Sequence, residues 1–285
     1  MSTNAYHRLP AILTASLLTA CVTTQDFSHL PPSERIQKAF AGYQNLGGNK
    51  AFAAAADGSW AAASGKTDQS QAIVSALSDC EKKASTPCTL IAVNQESTLK
   101  QITGFRQNSD LALTKLQIAS GKPEYTEPQW FLAQAVNPRQ PGEPMHYATP
   151  TSIKGVHTIS TRDLIEKMKS RSLVLFDALG LNNQIGTLPH AYSLHGAELA
   201  FNGPEKNKNF ESYMEKVIAL YVPDKTQAIA VYCASAECWL SVNALIHLRN
   251  IGYSNLYWYR GGLATWKHYE LPTVMPEANL IVLQP

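Results

Sequence analysis

The sequence predicts an α/β fold, a mainly parallel sheet flanked by helices, preceded by a smaller N-terminal α+β domain. Three observations carry this. Apolar runs LVLFD (173–177), QAIAVY (227–232) and LYWY (256–259) have strand length, and the amphipathic stretches FESYMEKVIALY (210–221) and WLSVNALIHLRNIG (239–252) have helical spacing. Strands that alternate with helices cross over and return in the same direction, so both sheet faces become covered. Pro123, Pro128, Pro138, Pro141, Pro144 and Pro150 crowd one stretch that can continue neither a helix nor a central strand, which places a linker there.

The elements follow in order. AFAAAADGSWAAAS (51–64) reads as a small-residue hairpin turning at Asp57-Gly58. KTDQSQAIVSALSDCEKK (66–83) has helical spacing with Ala72, Val74, Leu77 and Cys80 on one stripe, and CTLIAVN (88–94) is a short strand. A bridge between Cys80 and Cys88 would staple helix end to strand start, and neither a histidine cluster nor metal spacing supports another role. SDLALTKLQIA (109–119) is a further helix. Ser160 is placed to cap a helix beginning at Thr161, and Gly252 to end one. The predicted organisation is a signal peptide at 1–20, a tether at 21–35, a stapled α+β domain at 36–105, a helix and Pro-rich linker at 106–150, the α/β domain at 151–275 and a tail at 276–285.

Composition restricts function. The 285 residues carry a formal net charge of +2 without a Lys/Arg cluster, which argues against a nucleic-acid surface. The first ten residues hold one Arg and no acid, and the apolar AILTASLLTA (11–20) is too short to span a bilayer. Leu18-Thr19-Ala20-Cys21 resembles a bacterial lipoprotein box, which implies an acylated Cys21 and a lipid-anchored, periplasm-facing protein of the cell envelope. Val22 gives no inner-membrane retention signal, so the outer membrane is the expected destination. Export makes cysteines pair, and the remaining four fall into Cys80/Cys88 and Cys233/Cys238.

The second pair lies in VYCASAECWLS (231–241). Cys233 follows a strand and Cys238 precedes a helix, at the sheet edge where open α/β folds bind ligands. The unpaired N–H groups and the dipole of a helix N-terminus favour thiolate over thiol, so the sequence predicts amides directed at the Cys233 sulfur.

Asp177 at a strand end, the turn Gly186-Thr187-Leu188-Pro189-His190-Ala191, Cys233 and the run LYWYRGGLATW (256–266) occur in the order found in rhodanese-like sulfurtransferases, which residues 155–272 resemble. CWLSVNA with the later GY and YWYRGG is similar, more narrowly, to a periplasmic Cys-Trp subgroup associated with quinoprotein-dependent alcohol oxidation. The resemblance implies a catalytic Cys233 that takes sulfur from a sulfane-sulfur donor as a persulfide and passes it to a thiol acceptor, with no cofactor and no metal. Where the family has Cys-Arg-x-Gly-x-Arg, this chain has Cys233-Ala234-Ser235-Ala236-Glu237-Cys238. Backbone amides of Ala234 to Glu237 can still bind substrate sulfur, but anionic thiosulfate is attracted less, and Arg260 is the candidate replacement cation. Trp239 stands where a related cysteine-loop phosphatase would need Arg.

Three roles for the pair stay open: a sulfur carrier in which Cys238 resolves or protects Cys233, a dithiol/disulfide couple, and a permanent staple in a non-catalytic binding module. Asp177 and His190 are candidate supporting residues, with His195 a weaker acid–base candidate. Trp239, Trp258 and Trp266 read as packing residues.

Overall fold

A computed structural model describes residues 31–126, 138–139, 143–183, 185–201, 203–276 and 279–284. Cys21 and the signal peptide lie outside them, as does most of the Pro-rich linker. No helix among the described residues is long and apolar enough to cross a membrane.

The N-terminal unit contains α1 (Pro32–Gln44), β1 (Asn49–Ala55), β2 (Trp60–Lys66), α2 (Gln69–Glu81), β3 (Cys88–Val93), β4 (Glu96–Ser97) and α3 (Leu99–Thr114). Its strands form an antiparallel sheet in the order β2-β1-β3-β4. Alanines at 51, 53, 61 and 63 let α2 pack closely on one sheet face, where Ala72, Ala76 and Leu77 are fully buried. Phe52 alternates to the other face and meets Phe40, Tyr43 and Trp60 of a second small core. Gly58 turns the hairpin at φ +85°, a conformation that glycine adopts without a Cβ penalty. Asp68 caps α2 by accepting from the Gln71 N–H at 2.8 Å.

The second unit contains β5 (His157–Thr158), α4 (Thr161–Lys169), β6 (Val174–Asp177), β7 (Tyr192–His195), α5 (Pro204–Tyr221), β8 (Ile229–Tyr232), α6 (Trp239–Asn250), β9 (Leu256–Tyr259), α7 (Gly262–His268) and β10 (Leu280–Val282). Its sheet is parallel throughout, in the order β10-β7-β6-β8-β9-β5, with β6 and β8 at the centre. Helices α5 and α6 cover one face through residues such as Phe210, Met214, Val217, Val242 and Leu245. On the other face lie α4 and α7, with Leu164, Ile165, Leu263 and Trp266. Removing each such side chain from water contributes about 1.5–3 kcal/mol, which offsets the cost of ordering two short-looped layers. The predicted Ser160 cap accepts from the Asp163 N–H at 3.1 Å, and Gly252 follows α6 at φ +96°.

The elements extend differently from the sequence reading in three places. Residues 280–282, read as tail, form β10, because Leu280-Ile281-Val282 pairs with Ser193-Leu194-His195 and buries Val282 against the N-terminal alanine core. The helix read at 109–119 starts at Leu99 and stops at Thr114, crossing the expected boundary at 105, and α1 begins inside the expected tether. Hydrogen bonds also join the two units: the Ser78 hydroxyl donates to the Gln284 carbonyl at 2.6 Å, and the Tyr221 hydroxyl to Glu81 at 3.0 Å.

Candidate functional site

Cys233 follows β8 directly and opens the loop into α6, whose N-cap residue is Cys238. Their Cα atoms are 6.0 Å apart and their sulfurs lie at disulfide distance, as do those of Cys80 and Cys88, whose Cα atoms are 6.2 Å apart. Cys233 is 1% exposed and Cys238 5%.

The backbone of the loop is fixed from two sides. The carbonyls of Cys233 and Ala234 accept from the N–H groups of Leu263 and Ala264 at 3.0 and 2.9 Å, which ties the loop to the start of α7. On the other side runs Met145–Pro150, a strap at the end of the Pro-rich linker. His146 forms an antiparallel bridge with Cys238, the Tyr147 N–H donates to the Glu237 carbonyl at 2.8 Å, and the Thr149 hydroxyl donates to the Ala236 carbonyl. His146 Nε2 stands 3.3 Å from Glu237 Oε2.

The strap alters the expected anion cradle. The Trp239 N–H, in the first turn of α6, donates to the Met145 carbonyl at 2.9 Å. The Cys238 N–H donates to the Ser235 carbonyl, and the Glu237 N–H to Ser235 Oγ at 3.2 Å. Three of the amides expected to face Cys233 therefore have other acceptors. Those of Ala234, Ser235 and Ala236 have no backbone or side-chain acceptor among the described residues, so a shorter row of donors remains.

Arg260 is 6% exposed, and its Nε donates to the Pro150 carbonyl at 3.0 Å while its guanidinium lies 5.7 Å from the Trp258 ring. It holds the strap's end beside the loop. Arg139 was missed in the sequence: its guanidinium lies 4.5 Å from the Trp239 ring and 5.0 Å from Tyr147, and its backbone N–H donates to buried Asn243. Nothing in a Pro-rich linker marks one Arg for this position, although Trp239 beside a cysteine is a place to seek a stacking cation.

Asp177 and His190 make their hydrogen bonds to groups other than the cysteines. Asp177, fully buried at the end of β6, accepts from the Leu179 N–H at 3.0 Å, from Asn183 Nδ2 at 2.6 Å and from the Thr187 hydroxyl at 2.7 Å. Burial pushes its carboxyl above the usual range, and the donors from Thr187, Leu179 and Asn183 oppose that shift. The carboxylate thus orders Leu179, Asn183 and Thr187; Tyr232, next to Cys233, joins the network by donating its hydroxyl hydrogen to Thr187. His190 has φ +59° and pairs with Asp110 of α3 at 2.9 Å, and its N–H donates to Ser109. His195 sits at the end of β7, where burial lowers its pKa. The tryptophans pack as read: the ring N–H groups of Trp239, Trp258 and Trp266 donate to Ala148, Ser241 and Pro272.

A cavity of about 530 Å³ lies elsewhere, between the two units, and is lined by residues including Ile73, Thr98, Leu181, Asn183 and Ser193. No group of three His, Cys, Asp or Glu residues that could hold a metal ion occurs among the described residues.

Residues 160–269 match the family model of the rhodanese-like domain. The crystal structure of a thiosulfate sulfurtransferase from Pseudomonas aeruginosa is similar at 17% identity and a TM-score of 0.35, over 46% of this chain and 22% of that one. An uncharacterized protein from Saccharomyces cerevisiae is similar at 18% identity and a TM-score of 0.28, over 39% of this chain and 91% of that one. No curated protein matches the chain. Residues 160–269, which hold β6 to β9, α4 to α7 and the cysteine loop after β8, thus form a rhodanese-like domain.

Proposed function

We propose that this domain carries sulfane sulfur as a persulfide on Cys233 and passes it to a thiol acceptor, with Cys238 protecting the site as a disulfide between cycles. The supporting observation is the position of Cys233, at the end of central strand β8 and ahead of three amides, Ala234 to Ala236, without acceptors among the described residues. Such donors stabilise a sulfur anion whatever side chains the loop bears.

The cycle balances. A dithiol reduces the pair, giving thiolate at Cys233. The thiolate attacks the outer sulfur of thiosulfate, sulfite leaves with the S–S electron pair, and a persulfide remains. An acceptor thiolate takes the outer sulfur and Cys233 leaves as thiolate. Alternatively, Cys238 attacks the inner sulfur, hydrosulfide departs and the protecting disulfide returns. Arg260 and Arg139, the cations beside the loop, would take the place of the missing loop arginines in drawing in an anionic donor.

The deciding assay supplies reduced protein with thiosulfate or an organic persulfide, takes a sample for mass spectrometry of the Cys233 peptide, then adds cyanide to the remainder and measures thiocyanate. Thiocyanate and a 32-Da gain on that peptide are expected (about one sulfur atom, by the transfer chemistry above); neither appearing would end the proposal. The near-complete burial of Cys233 favours one other reading, a catalytically silent binding module. That module would show no sulfur loading even after reduction.

The setting we propose is the bacterial cell envelope, with the chain anchored to the membrane through acylated Cys21, and the outer membrane as its destination. Cys21→Ser should move the protein from the membrane fraction to the soluble one; unchanged fractionation counts against the anchor.

A further inference from the structure

Cys238, rather than Cys233, faces the chain's own strap. In an antiparallel bridge the paired residues project to the same side with Cβ atoms about 4.5–5.5 Å apart, so the position held by His146 stands beside Cys238. Around that bridge the strap engages the loop mostly through main chain: Met145 and Ala148 carbonyls on Trp239, the Tyr147 N–H on Glu237, the Pro150 carbonyl on Arg260. These contacts ask for an extended backbone and little else, which is how a sheet edge accepts a peptide.

The two sulfurs also differ as leaving groups. Cys233 precedes three amides that have no acceptor among the described residues, whereas the amides of Cys238 and Trp239 are taken by Ser235 and Met145. Amides left open next to Cys233 would stabilise an electron pair released there, and the amides next to Cys238 are already engaged.

We infer that the Ala236–Trp239 edge is a docking site for an extended, dithiol-bearing segment of a reducing partner protein, which displaces Met145–Pro150 and attacks Cys238. The partner thiolate forms a bond to Cys238 Sγ as the Cys233–Cys238 bond breaks, and Cys233 leaves as thiolate. The partner's second thiolate then closes a disulfide within the partner and releases Cys238. Two electrons pass from partner dithiol to cysteine pair, with no other reactant. The inference deepens the sulfur-carrier reading, since it names what restores thiolate at Cys233 and which cysteine meets it.

The test uses the oxidised full chain and a limiting amount of a synthetic peptide of residues 143–150 with His146→Cys, quenched in acid and digested for mass spectrometry. A peptide of the same composition in scrambled order is the control. The expected result is a mixed disulfide on Cys238 with Cys233 open to alkylation, formed about tenfold faster than with the scrambled peptide, and faster again in Thr149→Val, which loosens the strap. An adduct on Cys233, or equal rates for the two peptides, overturns the inference. Should Thr149→Val misfold, the wild-type arm decides alone. No sulfane sulfur enters this experiment, so its failure is distinct from failure of the thiocyanate assay.

Discussion

The Tyr221 hydroxyl of α5 donates to Glu81 Oε1 of α2 at 3.0 Å, across the seam between the two units, and leaves Glu81 Oε2 without a hydrogen-bond partner. Burial pushes the Glu81 carboxyl up to about 8, against the opposing hydrogen bonds of Tyr221 and the Val282 backbone. Glu81 in turn acts on Tyr213 and Tyr221, whose phenols are both pushed upward, so neither ionises in the relevant range.

That arrangement makes stability depend on pH with a definite sign. A carboxyl raised in the folded state binds more protons folded than unfolded from its ordinary value up to about 8. Its contribution is therefore full below the ordinary carboxylate range and is lost as pH rises toward 8. The unfolding free energy should fall across that window by a few kcal/mol at most. Urea unfolding at about pH 5 and about pH 8 measures the fall, and Glu81→Gln should flatten it. An equal fall in the Gln variant would show that the dependence comes from elsewhere.

The Cys80–Cys88 staple sits next to this seam, since Tyr221 also donates to the Cys88 carbonyl at 3.2 Å. Its closed loop is short, so restricting the unfolded chain contributes about 2.5 kcal/mol. Replacing both cysteines with alanine should lower the thermal midpoint accordingly. Thiocyanate formation by Cys233 should persist, because the staple touches none of residues 233–238. Loss of sulfur loading in this variant would tie the N-terminal unit to the site.

Asp177 gives a larger effect. Asp177→Ala leaves the Leu179 amide, the Asn183 amide and the Thr187 hydroxyl without their buried acceptor, at a cost of about 3 kcal/mol. Differential scanning calorimetry should show that loss. Alkylation of reduced Cys233 should keep its rate, since the carboxylate orders the 179–187 turn. A changed rate would reveal transmission through Tyr232, which bonds Thr187 and adjoins Cys233.

How far the sequence reveals this molecule depends on where side chains report on their surroundings. β6, β8 and β9 are continuous apolar runs because both faces of a central parallel strand are covered, and α6 is legible by the same logic. β5 is two exposed residues, and β10 is three residues that the preceding Pro276 disguises as a tail. Their assignment comes from pairing with β9 and β7, which no local pattern records. The cysteine loop was readable as a strand-to-helix edge. Its covering was not, because Met145–Pro150 binds mainly through backbone carbonyls that every residue supplies. Asp177 ends β6 and His190 lies in the turn before β7, and their partners, Asn183, Thr187 and Asp110, are set by turn geometry and by packing of α3, which no local pattern records.

The double glycine after β9 offers the sharpest test of how the loop is held. Gly262 has φ +55°, and a Cβ there would lie 2.1 Å from the Cys233 carbonyl oxygen and 2.9 Å from its carbon. Two backbones pass so closely that only hydrogen fits, and this closeness lets Leu263 and Ala264 donate to Cys233 and Ala234. Gly262→Ala must force them apart, losing two hydrogen bonds and adding left-handed strain, about 2–4 kcal/mol together. Gly252 supplies the comparison: its φ is +96°, but an added Cβ would meet only the flexible Lys225 side chain, at 3.4 Å. Gly252→Ala should lower the melting temperature through strain alone and leave the alkylation rate of reduced Cys233 unchanged. Gly262→Ala should lower the melting temperature further and raise that rate severalfold, since the freed loop no longer presses Cys233 against α7. If the two variants alter Cys233 reactivity equally, the glycine contact does not set the geometry of the cysteine loop, and the strap alone must hold it.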